Sequence, residues 1–145
     1  MTLELETLET SFDLIAPRGE ELVDTFYTRL FEAAPAVEPL FADADLRKQK
    51  AMLLATLVLL RKSLRDLDSI APKLRQLGAR HVAYGARPEH YPVVAEVLLV
   101  SMVDIAGEAW TPQVEAAWAG ALGLVATAML EGAEEAEAAT HAEAA

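Results

Sequence analysis

Apolar residues recur along the chain at steps of three and four, the spacing of one face of an α-helix. No alternating run rich in β-branched residues and no Asn-Gly or Asp-Gly hairpin turn interrupts them. The pattern therefore predicts an all-α protein. Leu5, Leu8, Phe12 and Ile15 share one side of a helix expected from about Leu3 to Ala16, broken by Pro17 and Gly19. A second helix begins near Glu20; its apolar face is wide, with Leu22, Phe26 and Leu30 flanked by Val23, Tyr27 and Phe31. Pro35 and Pro39 make residues 34–41 a tight corner ending in Phe41. A third helix, from about Asp43 to Arg65, aligns Leu46, Gln49, Leu53, Leu57 and Leu60. After a connector over Leu67–Ala71, Pro72 opens a fourth, whose stripe is Leu74, Leu77, His81 and Tyr84 and which Gly85 ends. A fifth spans about Pro88 to Ala106, carrying Tyr91, Val94, Leu98, Met102 and Ile105, and Gly107 terminates it. Thr111-Pro112 is a start signal, a capping hydroxyl before a proline at the first helical position. The last helix then carries Val114, Trp118, Leu122, Val125 and Met129. Beyond Gly132 the sequence EEAEAATHAEAA has nothing apolar to pin it. Residues 1–132 are expected to form one domain, and residues 133–145 a frayed or disordered tail in which His141 has no specific role.

Composition narrows the function. The 145 residues are 53% hydrophobic, enough for a sizeable core. Net charge is −11, which repels phosphate backbones and anionic membranes alike, so neither nucleic acid nor a membrane is an expected partner. No apolar run reaches about 18 residues, and the acidic N-terminus MTLELETLET is wrong for a secretory signal. There is no cysteine, which removes disulfides and covalent haem attachment through CxxCH and fits a reducing compartment, the cytoplasm.

Three polar residues sit where the stripes call for apolar ones: Tyr27, Gln49 and His81. A histidine in that position is ordinarily satisfied by a backbone carbonyl. The alternative is a metal ligand, but with three histidines and no cysteine the chain lacks the donors of a zinc site. One imidazole suffices only for iron already held by a porphyrin, to which it gives one axial bond.

Five ordered motifs then carry a resemblance: TFYTRLF at 25–31, VEPLF at 37–41, QKAML at 49–53, LGARHVAYGARPEHYPVV at 77–94 and EAWTPQVEAAW at 108–118. Together, in this order and spacing, they resemble the globin family, and most closely the bacterial single-domain haemoglobins and the haem domain of flavohaemoglobins. The resemblance covers about Leu5 to Met129. It implies a globin fold of about seven to eight helices around a pocket for haem b (iron protoporphyrin IX), with His81 as the axial iron ligand.

The resemblance also distributes the other roles. Tyr27 and Gln49 fall on the opposite, distal face, as hydrogen-bond donors to bound dioxygen. Phe41 matches the phenylalanine packed flat on the porphyrin. Leu53, Leu77, Val94, Leu98 and Leu122 match apolar positions facing the ring, and Arg80 is placed to pair with a haem propionate. On the proximal side Tyr91 matches a tyrosine that supports the histidine together with a glutamate. An ungapped alignment puts Ala133 at that glutamate's place, between Glu131 and Glu134, so Glu131 is the nearest candidate. His90, at a helix start, is expected to face solvent. The functions implied are reversible binding of dioxygen, with NO and CO as related ligands, in oxygen storage or transport. The alternative is a nitric oxide dioxygenase that detoxifies NO to nitrate. Flavohaemoglobins carry flavin and nicotinamide domains of their own, so this chain is expected to need a separate reductase. Monomer and homodimer both remain open.

Overall fold

A computed structural model describes the backbone of residues 4–144 and the side chains of residues 4–139; the side chain of His141 lies outside the described residues. Six α-helices follow in order: α1 (Leu5–Ile15), α2 (Gly19–Ala33), α3 (Leu46–Lys62), α4 (Ala71–Ala83), α5 (His90–Ala106) and α6 (Pro112–Ala144). Short 3₁₀ turns fill the corners at Ala16–Arg18, Pro35–Phe41, Leu67–Ser69 and Gly107–Ala109, so the family's seven to eight segments appear as six helices and four turns. No strand occurs among the described residues.

The ends follow from local chemistry. Asp45 caps α3 by accepting from the amides of Arg47 (3.1 Å) and Lys48 (3.4 Å). Thr111 caps α6 by accepting from the amide of Val114 at 3.2 Å. Gly85 ends α4 with φ +92°, a left-handed conformation that costs glycine little. There the amide of Gly85 donates to the carbonyl of Val82 and that of Ala86 to the carbonyl of His81, both at 3.0 Å, a Schellman cap. The turn before α2 is subtler. The expected break falls at Ala16–Arg18, where Arg18 leaves the helical region at φ −110° and ψ 28°, and Gly19 itself starts α2 with ordinary helical angles, φ −58° and ψ −39°. A Cβ there would sit 2.8 Å from Cδ1 of Leu54, so this glycine lets α3 press against α2.

α2 packs on α3 and α5, α4 lies along α6, and α1 closes the other end against α5 and α6. Trp118, Leu8, Ile15, Leu22 and Met102 are fully buried where α1, α2, α5 and α6 meet. The Trp118 ring lies 6.0 Å from that of Phe12, and its Nε1–H donates to Ser11 Oγ at 2.8 Å. Ser11 in turn donates to the Thr7 carbonyl at 2.6 Å. Ser11→Ala should therefore strand the indole N–H and lower stability by about 1–3 kcal/mol in urea unfolding; an unchanged midpoint would show that water replaces the hydroxyl.

α6 does not stop at Gly132 but continues to Ala144. Its Pro112–Ala139 portion has the length and composition of a membrane-spanning helix. Its apolar face is nevertheless occupied: Val114, Ala117, Trp118, Ala121, Leu122, Met129 and Ala133 are all buried against the other helices.

Candidate functional site: a cleft with one free imidazole

Helices α2 to α6 enclose a cleft of about 230 Å³. Its walls are leucines, valines and alanines, and its polar groups are few: Tyr27, Gln49, Thr56, His81, Tyr84, His90 and Tyr91. The cleft brings together nine residues singled out from sequence, namely Tyr27 from α2, Gln49 and Leu53 from α3, Leu77 and His81 from α4, Tyr91, Val94 and Leu98 from α5, and Leu122 from α6.

His81 sits two residues before the end of α4, and the Schellman cap ties down its carbonyl. Its Nδ1 lies 2.7 Å from the Leu77 carbonyl. A carbonyl only accepts, so Nδ1 carries the proton and the Nε2 lone pair is left free. Burial, opposed by that bond and reinforced by the nearby Arg80 guanidinium, holds the imidazole below its ordinary value. The unfolded chain takes up this proton first, so as pH falls through about 6.5 the neutral form is retained at a growing cost in stability. The Tyr84 ring meets the imidazole edge-on, with centroids 5.7 Å apart.

Tyr27 is the other singular group. Its ring is wedged among three aromatics, with centroids 5.0 Å from Phe26, 6.1 Å from Phe31 and 5.7 Å from Phe41. Burial pushes its hydroxyl up to about 12, so it stays protonated and remains a donor at any physiological pH. Only 7% of the residue is exposed, yet no described group hydrogen-bonds to it. The Gln49 amide likewise has no described partner. The Tyr27 hydroxyl keeps some exposure to the cleft, and a donor held there without an acceptor calls for one. The two donors share a cleft with an imidazole whose Nε2 is bare, and a polar ligand placed there would satisfy both.

Several candidate residues stand elsewhere. Phe41 does not line the cleft; it packs on Phe31 (5.4 Å) and Tyr27, holding the Tyr27 ring from behind. Arg80 is exposed and acts on His81 only through its charge. Glu131 points outward and pairs with Arg75 at 3.2 Å. Ala133 is buried instead, and the Tyr91 hydroxyl, also buried, has no hydrogen-bond partner. No carboxylate among the described residues therefore reaches His81 through Tyr91; the imidazole leans on a neutral carbonyl. His90 is half-buried and lines the cleft, contrary to the expectation that it faces solvent. Met52 and Thr56, three and seven positions after Gln49, also line it, as do Leu74 and Met129. Helical spacing from Gln49 could have flagged the first two; nothing in the sequence marks Ala86, Ala95 or Ala126.

The donor set excludes a bare ion. Among the described residues no three His, Cys, Asp or Glu groups stand together to hold one. One imidazole nitrogen with a free lone pair, on His81, together with apolar walls from several helices and the unpartnered donors of Tyr27 and Gln49, instead fits a flat macrocycle carrying its own iron.

The globin family model matches residues 24–129. The chain belongs to the globin family. Family membership implies a haem cofactor and small gaseous ligands. A flavohemoprotein of Bacillus subtilis is 31% identical over 128 residues, covering 87% of this globin and 32% of its own length. One of Bacillus thuringiensis is 30% identical over 142 residues, covering 96% and 35%. The globin thus spans about a third of the length of these curated relatives. Among solved structures, a bacterial globin from Campylobacter jejuni superposes with TM-score 0.79 at 22% identity, covering 90% of this chain and 94% of that one. An engineered carbene transferase from Rhodothermus marinus, a candidate nitric oxide dioxygenase, superposes with TM-score 0.88 at 21% identity, covering 97% and 99%. At those identities the structural likeness speaks for the fold.

Proposed function

We propose that this globin binds haem b through His81 and reversibly takes up dioxygen, with nitric oxide and carbon monoxide as related ligands. The observation that supports it most is the Tyr27 hydroxyl, which opens on the cleft from a buried ring and stays protonated with nothing among the described residues to accept its proton. When bound, haem supplies a ferrous iron open to a diatomic ligand. His81 would hold the iron by Nε2, oriented by the Leu77 carbonyl. Leu53, Leu77, Val94, Leu98 and Leu122 would face the ring and exclude water. Tyr27 and Gln49 donate to a ligand that draws electron density, and the aromatic wedge keeps Tyr27 in place before the ligand arrives. The lack of cysteine supports a cytoplasmic setting.

Stopped-flow release of dioxygen and carbon monoxide from the ferrous protein tests this. Tyr27→Phe should speed dioxygen release roughly ten- to a hundredfold and Gln49→Leu by less, with smaller effects on carbon monoxide, which gains less from a donor. Release by the parent should stay flat from about pH 6 to 10, because the hydroxyl titrates near 12. If neither variant changes dioxygen release by more than about twofold, the donor assignment is wrong.

A second reading draws on the relatives named flavohemoproteins and on the Rhodothermus neighbour. The globin would convert dioxygen and nitric oxide to nitrate. That reaction takes one electron per turnover, which a separate reductase must supply. The same donors serve it, by retaining dioxygen until nitric oxide arrives. Sustained nitrate production with a generic reductase, falling in Tyr27→Phe, would favour the enzyme over the carrier.

A further inference from the structure

We propose that His90 anchors a carboxylate of the bound tetrapyrrole at the α4–α5 corner of the cleft. This rests on the haem reading above. His90 opens α5, is half-buried and lines the cleft beside Tyr84 and Ala86. Its Nδ1 accepts from the backbone amide of Arg87 at 3.0 Å. An amide N–H only donates, so Nδ1 is unprotonated in the neutral ring and the proton sits on Nε2. That bond therefore fixes both the tautomer and the tilt of the ring, leaving an N–H donor with no acceptor among the described residues.

Few other groups in the cleft can receive an anion. No lysine or arginine lines it. The Thr56 hydroxyl already donates to the Met52 carbonyl at 2.9 Å. Tyr27 is a buried residue and the Tyr91 hydroxyl is buried, so a carboxylate brought to either would lose its water. The α4–α5 corner differs. Arg80 and Arg87 flank it in sequence, are exposed, and have no carboxylate partner among the described residues. Of the other arginines, Arg18, Arg29, Arg61, Arg65 and Arg75 are paired with acids, and the exposed Arg47, on α3, is not. On a chain of net charge −11 two unpaired guanidinium groups make this corner a favourable exit for negative charge. A macrocycle with an apolar body and two carboxylates would lie with its body among the leucines and one acid on His90 Nε2–H.

The test compares protohaem with its dimethyl ester, which keeps the ring and removes the charge. Each is loaded into the parent, His90→Leu and His90→Gln, and its transfer to an excess of a haem-scavenging apoprotein is timed. For protohaem, His90→Leu should release roughly three- to tenfold faster than the parent, the size expected for one charge-assisted hydrogen bond at a half-exposed rim. His90→Gln, which keeps an N–H donor, should fall close to the parent. For the dimethyl ester all three should release alike. Equal acceleration of both cofactors in His90→Leu would make His90 a packing residue and overturn the proposal, as would no acceleration of either. A parent chain that takes up no hemin would instead overturn the haem reading itself, and this proposal with it.

Discussion

Replacing His81 by alanine should leave a folded protein that no longer keeps haem through purification. The side chain contributes little to the core: it is half-buried and lines a cleft, and its one bond is to a carbonyl on its own helix. Its loss should therefore spare the helical content while removing the sole nitrogen in the cleft whose lone pair is free, since Nδ1 of His90 is already engaged. The absorbance ratio of Soret band to protein peak should fall at least about tenfold, as expected when the axial bond is removed. Imidazole added to His81→Gly should refill the vacated space and restore the ferrous spectrum, which separates a lost ligand from a damaged fold. Retention of hemin by His81→Ala at one per chain, with an unchanged spectrum, would overturn the axial assignment.

What the sequence reveals here and what it hides divide along physical lines. A polar residue on an apolar stripe is conspicuous because burying it needs a reason. Tyr27, Gln49 and His81 stand out for that reason, and all three reach one cleft. Caps are equally legible, since Thr111-Pro112 and Gly85 act on the backbone within a turn of themselves. Contacts between distant segments are not. The proximal glutamate expected from the family has no counterpart in the cleft, because one residue of register separates a buried Ala133 from Glu134 and the exposed Glu131 is drawn off by Arg75. The direction of His90 depends on the Arg87 amide, which only the α4–α5 corner places within reach. Close approach of backbones is hidden as well: nothing in the sequence tells that Gly132 lies inside α6, where a Cβ would meet the Arg75 carbonyl oxygen at 1.9 Å.

Gly78 and Gly132 carry the second large effect. A Cβ at Gly78 would lie 1.8 Å from the carbonyl oxygen of Met129, and one at Gly132 would lie 1.9 Å from that of Arg75. Both neighbours are backbone, so neither can swing aside, and α4 and α6 would have to separate. Alanine in a helix interior normally gains about 1 kcal/mol over glycine. Forcing atoms into a packed contact typically costs 1–3 kcal/mol, and more where the obstacle is rigid. Gly78→Ala and Gly132→Ala should each lose roughly 2–3 kcal/mol in denaturant unfolding, net of the propensity gain. Gly123 is the internal control: it lies on the exposed face of α6 with nothing within 4 Å of an added Cβ. Gly123→Ala should stabilise the protein by about 0.5–1 kcal/mol. The effect at Gly78 should also reach the site, because His81 lies three residues further along the helix that must move. Haem release from Gly78→Ala should be faster than from the parent, whereas Gly123→Ala should leave it unchanged. If Gly78→Ala and Gly132→Ala are as stabilising as Gly123→Ala, the two helices do not cross in backbone contact, and the anchoring of His81 by α6 fails with that contact.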